Sequence, residues 1–355
     1  MRALCWLVLL ASAAPLGGTA QVPAAGAPRE PLRILAVGDI NLARAVARDY
    51  IVPGRGAEVF ASVRSGLHAA DIAIGNLESV IVDRGAATDT ARAPAFAAPK
   101  AAAALLADAG FAVLGTANNH AWDLEGHGLL ESLAHLDTAG IAHAGTGPTP
   151  EAALRPAVVQ RKGWTVAVFS VTRIFNYPDL IVQGHPAECC VAWADTSRLQ
   201  AAIQTARDSG ADLVLVMLHA GREYRDLPPA DVVATARSLV RAGADAVIGH
   251  HPHVPEGVEW VNGHPILYSL GNFVFAQHPR WTRRGLAAIL TVLPHRPMTV
   301  QLRPVVAGET PRWATGADSA RVAAHVRALS DSLARLPRTR TRRNVAPPGP
   351  RPGLR

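Results

Sequence analysis

The stretch Asp245–Phe275, DAVIGHHPHVPEGVEWVNGHPILYSLGNFVF, decides how the rest of the chain is read. It opens with a short apolar run, Ala246–Ile248, that has the composition of a buried strand. Gly249 then frees the backbone, and three histidines follow within four positions: His250, His251 and His253. A second apolar run, Ile266–Leu270, leads into Gly271-Asn272-Phe273. Imidazoles gathered at the carboxyl end of a strand are placed to converge on a metal, because imidazole is a common ligand for Zn, Mn and Fe. A Pro-bounded loop that is merely rich in histidine is the plain alternative. The rest of the chain decides between them.

Outward from this stretch the same pattern recurs. Arg33–Val37 ends in Gly38-Asp39-Ile40, and Asp71–Gly75 ends in Asn76-Leu77-Glu78. Val113–Thr116 runs into Ala117-Asn118-Asn119-His120, and Leu213–Leu218 into His219-Ala220-Gly221. Helical periodicity fills the intervals: through about Leu67, over Ala101–Ala109 with Gly110 as C-cap, over Ser197–Ser209 and over Asp231–Ala242. Gly126–Ala139 is a further helix, with Leu129, Leu130, Leu133 and Leu136 on one face. Ile141–Ala144 and Thr165–Val171 read as strands, and Asp83–Ala95 as an exposed, turn-rich loop. Leu286–Leu293 and Thr299–Val306 alternate like antiparallel strands before a terminal helix, Ala317–Leu336. Repeated strand, polar loop and helix predict an α/β fold with adjacent strand ends facing one way. Ligands of open α/β sheets sit at those ends.

Composition sets bounds on the rest. Of 355 residues 49% are hydrophobic and only 5% aromatic, enough for a large core filled by Ala, Val and Leu. Arg2, the apolar run Leu4–Ala14 and Gly18-Thr19-Ala20 form a secretory leader pattern over residues 1–20, followed by a Pro/Ala/Gly linker over 21–31. The expectation is an exported protein, or a membrane-anchored one if the leader is not cleaved. Adjacent cysteines close a disulfide only through a strained eight-membered ring, so Cys189 and Cys190 are read as thiols. The net charge of +7 is partly an end effect, because Pro337–Arg355 carries six arginines and no acid. That segment, 337–355, is expected to be a disordered basic tail able to touch an anionic surface. Export makes nucleic acid an unsuitable partner.

Taken together, five strand ends offer Asp39, Asn76 with Glu78, Asn119-His120, His219, and His251 with His253. Any one is a common turn residue. A mixed Asp/Glu/Asn/His set is what two-metal hydrolysis uses: a carboxylate bridges two ions, the ions lower the pKa of a water, and a His protonates the leaving group.

Six ordered motifs carry a resemblance. They are VGDI (Val37–Ile40), GNLES (Gly75–Ser79), ANNHAWD (Ala117–Asp123), LHAGREY (Leu218–Tyr224), GHHPHV (Gly249–Val254) and YSLGNFVF (Tyr268–Phe275). The chain resembles the CapA family of poly-γ-glutamate capsule biosynthesis proteins, within the calcineurin-like metallophosphoesterase superfamily. The resemblance implies an α/β fold built as a four-layer sandwich, two mixed β-sheets flanked by helices, over 32–336. It implies divalent ions, two of Mn, Fe or Zn. Asp39 would hold the first and Glu78 would bridge. Asn119 and His219 would hold the second, His251 and His253 would give one ligand to each, and His120 would be catalytic. Asn41, Asn76, Asp123, Tyr224, His250 and Asn272 would support the ligands or touch substrate. Two positions depart from the superfamily pattern: its Asp-x-His reads Asp39-Ile40-Asn41 here, and Glu78 stands where a bridging Asp is usual. The missing imidazole leaves one metal as the alternative to two.

Three functions fit. The first is an exported hydrolase of a phosphoester or of a γ-glutamyl amide, working with capsule synthesis or export machinery. The second is a non-catalytic accessory that binds an anionic cell-surface polymer. The third is a wall-polymer binder acting through the arginine tail, which would leave the His cluster dispensable. Trp122 is expected to pack beneath the site, His185 and His264 to be loop histidines, and Arg222, Glu223 and Arg225 to form a charged rim or a plain solvated face.

Overall fold

In a computed structural model, described for residues 29–84, 95–177, 190–277 and 279–335, sixteen strands and five longer helices follow one another along the chain. The leader, the linker through residue 28, His185, Cys189, most of the loop expected at 83–95 and the arginine tail lie outside the described residues. The strands are β1 (Leu32–Ile40), β2 (Ile72–Leu77), β3 (Val80–Val82), β4 (Ala97–Pro99), β5 (Phe111–Gly115), β6 (Ala142–Ala144), β7 (Ala157–Arg161) and β8 (Trp164–Thr172), then β9 (Leu213–His219), β10 (Ala246–His250), β11 (Val258–Val261), β12 (His264–Leu267), β13 (Asn272–Val274), β14 (Arg284–Val292), β15 (Thr299–Val306) and β16 (Arg312–Trp313). The helices are α1 (Ala101–Ala109), α2 (Glu125–Thr138), α3 (Thr196–Asp208), α4 (Ala230–Arg241) and α5 (Gly316–Ala334).

Alternation along the strands builds the layers. In β1, Ile34 and Ala36 face one way and meet Val166, Val168, Leu215 and Ile248 of β8, β9 and β10. Leu35 and Val37 face the other way, onto Val46, Phe60, Leu67 and Leu106. In the second sheet Ala167, Phe169, Val214 and Val216 turn outward to Leu199, Ile203 and Leu239 of α3 and α4. Each buried aliphatic side chain contributes about 1.5–3 kcal/mol. The result is helix, sheet, sheet, helix, the four-layer sandwich that the resemblance implied. The first sheet has the order β16-β15-β14-β1-β2-β5-β6, with β13 beside the end of β1, and the second has the order β11-β12-β10-β9-β8-β7. Both are mixed: β1, β2, β5 and β6 run parallel, as do β8, β9, β10 and β12, while β14–β16 and the edges β7 and β11 are antiparallel. α5 packs on β11 and β15, one strand from each sheet, and inserts Val322 and Val326 between them.

Several local expectations change. The helix read through Leu67 is broken into short turns, Arg44–Val46, a π turn at Ala47–Ile51, Ala57–Phe60 and Arg64–His68, with Pro53-Gly54 in the interruption. In α2 the buried stripe is Leu129, Ser132, Leu133 and Leu136, and Leu130 is exposed. Ser132 holds the stripe because its Oγ accepts the Ile81 N–H at 3.0 Å. The β7–β8 hairpin, turning on Lys162-Gly163 with φ of 52° and 77°, carried a turn signal that hydrophobic periodicity alone passes over.

Gly249 also has a different reason from the one expected. It lies within β10 without a positive φ, and a Cβ there would meet the Tyr268 carbonyl oxygen at 1.8 Å. Close approach of two backbones demands the glycine, not conformational freedom. Gly38 is alike, with a Cβ meeting the Gly271 oxygen at 1.8 Å. Gly249→Ala is therefore expected to destabilise the fold by about 3 kcal/mol, the upper end of overpacking costs, because the obstacle is backbone. A urea midpoint equal to wild type would contradict this.

Candidate metal centre

The strand ends meet at one point because their registers align. At Asp39 the partner of β1 changes from β14 to β13, so Asp39 lies between Asn272 of β13 and Asn76 of β2. On the facing sheet His219 of β9 is paired with His250 of β10. The Glu78 N–H donates to the Ile40 carbonyl at 2.8 Å, which turns its side chain in beside Asp39. Asp39, Glu78, Asn119, His219, His250, His251 and His253 are all buried.

Around Glu78 the donor atoms fall into two sets. One ligand atom each of Glu78, His219 and His251 lies within 4.8 Å of the others, and the same holds for Asp39, Glu78 and His253. Glu78 is common to both, the place a bridging ligand would occupy. Its Oε1 and Oε2 are buried and have no hydrogen-bond partner among the described residues. An ionised carboxylate without partners is costly in a protein interior, and buried charges are paired or coordinate metals. The Asn119 Oδ1 lies 2.8 Å from His219 Nε2 and extends the first set. These carboxylate, amide and imidazole donors suit Zn, Mn or Fe.

The surrounding residues aim the candidate ligands. Asn272 donates through Nδ2 to the Gln277 side chain and the Thr282 carbonyl, leaving its Oδ1 to accept from His253 Nδ1 at 2.9 Å. That fixes the ring so that Nε2 points to Glu78, at 3.9 Å. Asn76 Nδ2 donates to Asp39 Oδ1 at 2.8 Å and reaches His219 Nδ1 at 3.3 Å. His250 Nδ1 lies 3.3 Å from the same Asp39 oxygen. Asn41 uses its Oδ1 to accept the Ala43 N–H at 2.9 Å, so here it shapes the turn after β1. Tyr224 stands at the exposed rim with its ring 6.0 Å from that of His253.

His120 is more open than these candidate ligands. Its Nδ1 donates to Asp123 Oδ2 at 2.8 Å, which leaves Nε2 for the cleft. Asp123 is held in turn by the Phe96 N–H at 2.7 Å and the Tyr177 hydroxyl at 3.3 Å. Three contributors were not singled out from the sequence. Asn118 ties Asn76 Oδ1, the Leu77 carbonyl and the His120 N–H together. Phe96 stacks on His120 with ring centres 3.9 Å apart, and Arg44 lies over Phe96. The Asn-Asn-His run did contain the signal for Asn118. Nothing local marked Phe96. Trp122 is half-buried among the apolar residues under the second sheet, and His264 contacts the Asp245 carbonyl.

Electrostatics separate the two acids. Burial alone would push the Asp39 carboxyl up, but His250 and His253 beside it hold it well below its ordinary value. Burial, reinforced by the Asp39 charge, pushes Glu78 well above its own. Burial and neighbouring imidazoles drive His219 down and bring His251 to about 3, so both rings are neutral and able to ligate. The backbone is strained at the same place, with φ of 97° at His251 and 58° at His253.

Fold and site together define an α/β sandwich protein with a buried carboxylate–imidazole centre compatible with metal binding. The chain belongs to the family described as bacterial capsule synthesis protein PGA_cap, whose model matches residues 33–277. It is 32% identical over 256 residues to the PGA biosynthesis protein CapA of Bacillus subtilis (strain 168), covering 72% of this chain and 65% of that protein. It is 31% identical over 267 residues to the capsule biosynthesis protein CapA of Bacillus anthracis, covering 74% and 63%. The chain thus spans slightly under two thirds of the length of these relatives. A hypothetical protein from Thermus thermophilus shares the fold with a TM-score of 0.50 and 17% identity, over 77% of this chain and 98% of that one. No helix among the described residues is long and apolar enough to cross a membrane.

Proposed function

We propose that this chain is an exported, metal-dependent hydrolase of capsule polymer biosynthesis, cleaving a phosphoester or a γ-glutamyl amide and working beside the machinery that makes or exports the polymer. The observation that carries the reading is Glu78, whose two unpartnered buried oxygens face three neutral or fixed imidazoles and a second carboxylate. Membership of a capsule synthesis family supports the polymer as the context, and the leader pattern of residues 1–20 supports export.

Two divalent ions would fit the donors: Asp39, Glu78 and His253 would hold one, and Glu78, Asn119, His219 and His251 would hold the other. Bound there, they would supply an acidified water and neutralise charge on the scissile group. His120 presents Nε2 to the leaving group while Asp123 fixes its tautomer. Asn272 and Asn76 keep His253 and Asp39 in place without reorganisation during turnover.

The deciding experiment is elemental analysis of protein from Gln21 onward beside the double variant His251→Ala/His253→Ala. About two equivalents of Mn, Fe or Zn per chain are expected, lost in the variant. About one equivalent would show a single-metal site, consistent with the imidazole absent from Asp39-Ile40-Asn41. No metal after reconstitution with each ion would overturn the hydrolase reading in favour of a polymer-binding accessory.

A further inference from the structure

We propose that Arg44 is the anion-docking residue of the cleft, receiving a carboxylate of a γ-linked glutamyl chain next to the bond that His120 serves. The inference rests on the polymer reading given under Proposed function and assigns a residue which that reading does not use.

Arg44 follows β1 directly, in the turn that Asn41 shapes after Asp39. It is exposed, and among the described residues its guanidinium makes no hydrogen bond or ion pair. Its fixed contact is with an aromatic face: Cζ lies 4.5 Å from the centre of Phe96. The same ring stacks on His120 at 3.9 Å with 26° between planes. Two flat groups cannot share one face of a ring, so Phe96 lies between imidazole and guanidinium as a spacer. A cation over an aromatic face keeps its donors at the edge of the guanidinium plane, open to a planar acceptor. The charge is therefore held on the far side of Phe96 from the proposed leaving-group histidine, its donors making no hydrogen bond to the described residues.

The backbone points the same way. Arg44 has a φ of 53°, a conformation that costs a non-glycine residue. Of nine such residues among those described, His251 and His253 lie in the candidate centre, Tyr224 stands beside His253, and Arg44 stands over Phe96. A turn that needed only this φ would be better served by glycine, so the side chain has its own use. An arginine–carboxylate pair is bidentate and charge-assisted, which suits a polymer bearing one carboxylate on every residue. Spacing along such a chain would place one carboxylate on Arg44 while a neighbouring linkage lies at the centre.

Calorimetric titration of metal-loaded full-length protein with γ-linked triglutamate, and with its counterpart whose α-carboxylates are carboxamides (γ-linked tri-isoglutamine), tests this. Wild type is expected to prefer the charged trimer. Arg44→Gln and Arg44→Gly should weaken its binding about tenfold or more, and Arg44→Lys less, with little change for the neutral trimer. Arg44→Gly suits the φ and should keep or raise the thermal midpoint, separating lost recognition from lost folding. Equal binding by Arg44→Gln and wild type would overturn the proposal while leaving the polymer reading intact. Failure of metal-loaded wild type to bind the charged trimer would overturn the polymer reading, and the role of Arg44 with it.

Discussion

Glu78→Gln is expected to stabilise the metal-free protein and to cripple it as a metal binder. The amide keeps the shape and removes a charge whose oxygens accept no hydrogen bond from the described residues. Relief of an uncompensated buried carboxylate is of the order of 2 kcal/mol or more. The gain depends on pH with a definite sign. Glu78 titrates higher in the folded chain than its ordinary value of 4.5, so stability present below that pH is lost as pH rises toward the folded value. The glutamine variant escapes that loss, and the gap between the two should widen upward from about pH 4.5. Asp39 acts oppositely. Its contribution is present above 3.8 and is lost as pH falls through its lowered folded value, in wild type and variant alike. Added metal should reverse the ranking, because a bound cation favours the ionised acid. Loss of a direct ligand should weaken metal affinity by at least about 100-fold, since even supporting residues cost 10–100-fold. Thermal melts with and without Mn, across pH, read all of this. A variant less stable than wild type when both are metal-free would show that Glu78 has a structural partner instead.

His120→Ala should separate turnover from binding. The imidazole is outside both ligand sets, so metal content should be unchanged. Hydrolysis of a responsive phosphoester or γ-glutamyl amide should fall by about 10²–10⁴, the range for loss of a positioned acid or base. Asp123→Asn should share part of the defect, because an amide no longer enforces the Nδ1–H tautomer. Full activity in His120→Ala would remove it from the chemistry.

How much of this was legible in the sequence depended on where the information sits. The strand-end donors were legible because each follows a short apolar run that can only be a buried strand. Their mutual placement was not, since the change of neighbour at Asp39 depends on Gly38 and Gly271 coming into contact from distant parts of the chain. The ends of periodic helices were found to within a residue or two. The segment after β1 was not, because its apolar residues are spaced like a helix while Pro53 and Gly54 interrupt it. Phe96 and Arg44 escaped notice for a related reason. Neither belongs to a pattern, and their meaning arises only when β4 brings Phe96 onto His120.

The place of β1 has a consequence for when the centre comes into existence. The Asp39 carboxylate accepts from the His251 N–H, 212 residues away, and its flanking strand β13 lies later still. A nascent chain that stops short of β10 has Asp39 and Glu78 but neither His250, His251 and His253 nor the strand β13 that flanks Asp39. Such long-range closure is slow compared with helix formation. On the metal-dependent reading proposed above, loading would follow the closure of β10 and β13 onto β1, and the ion would be drawn from the compartment in which folding finishes.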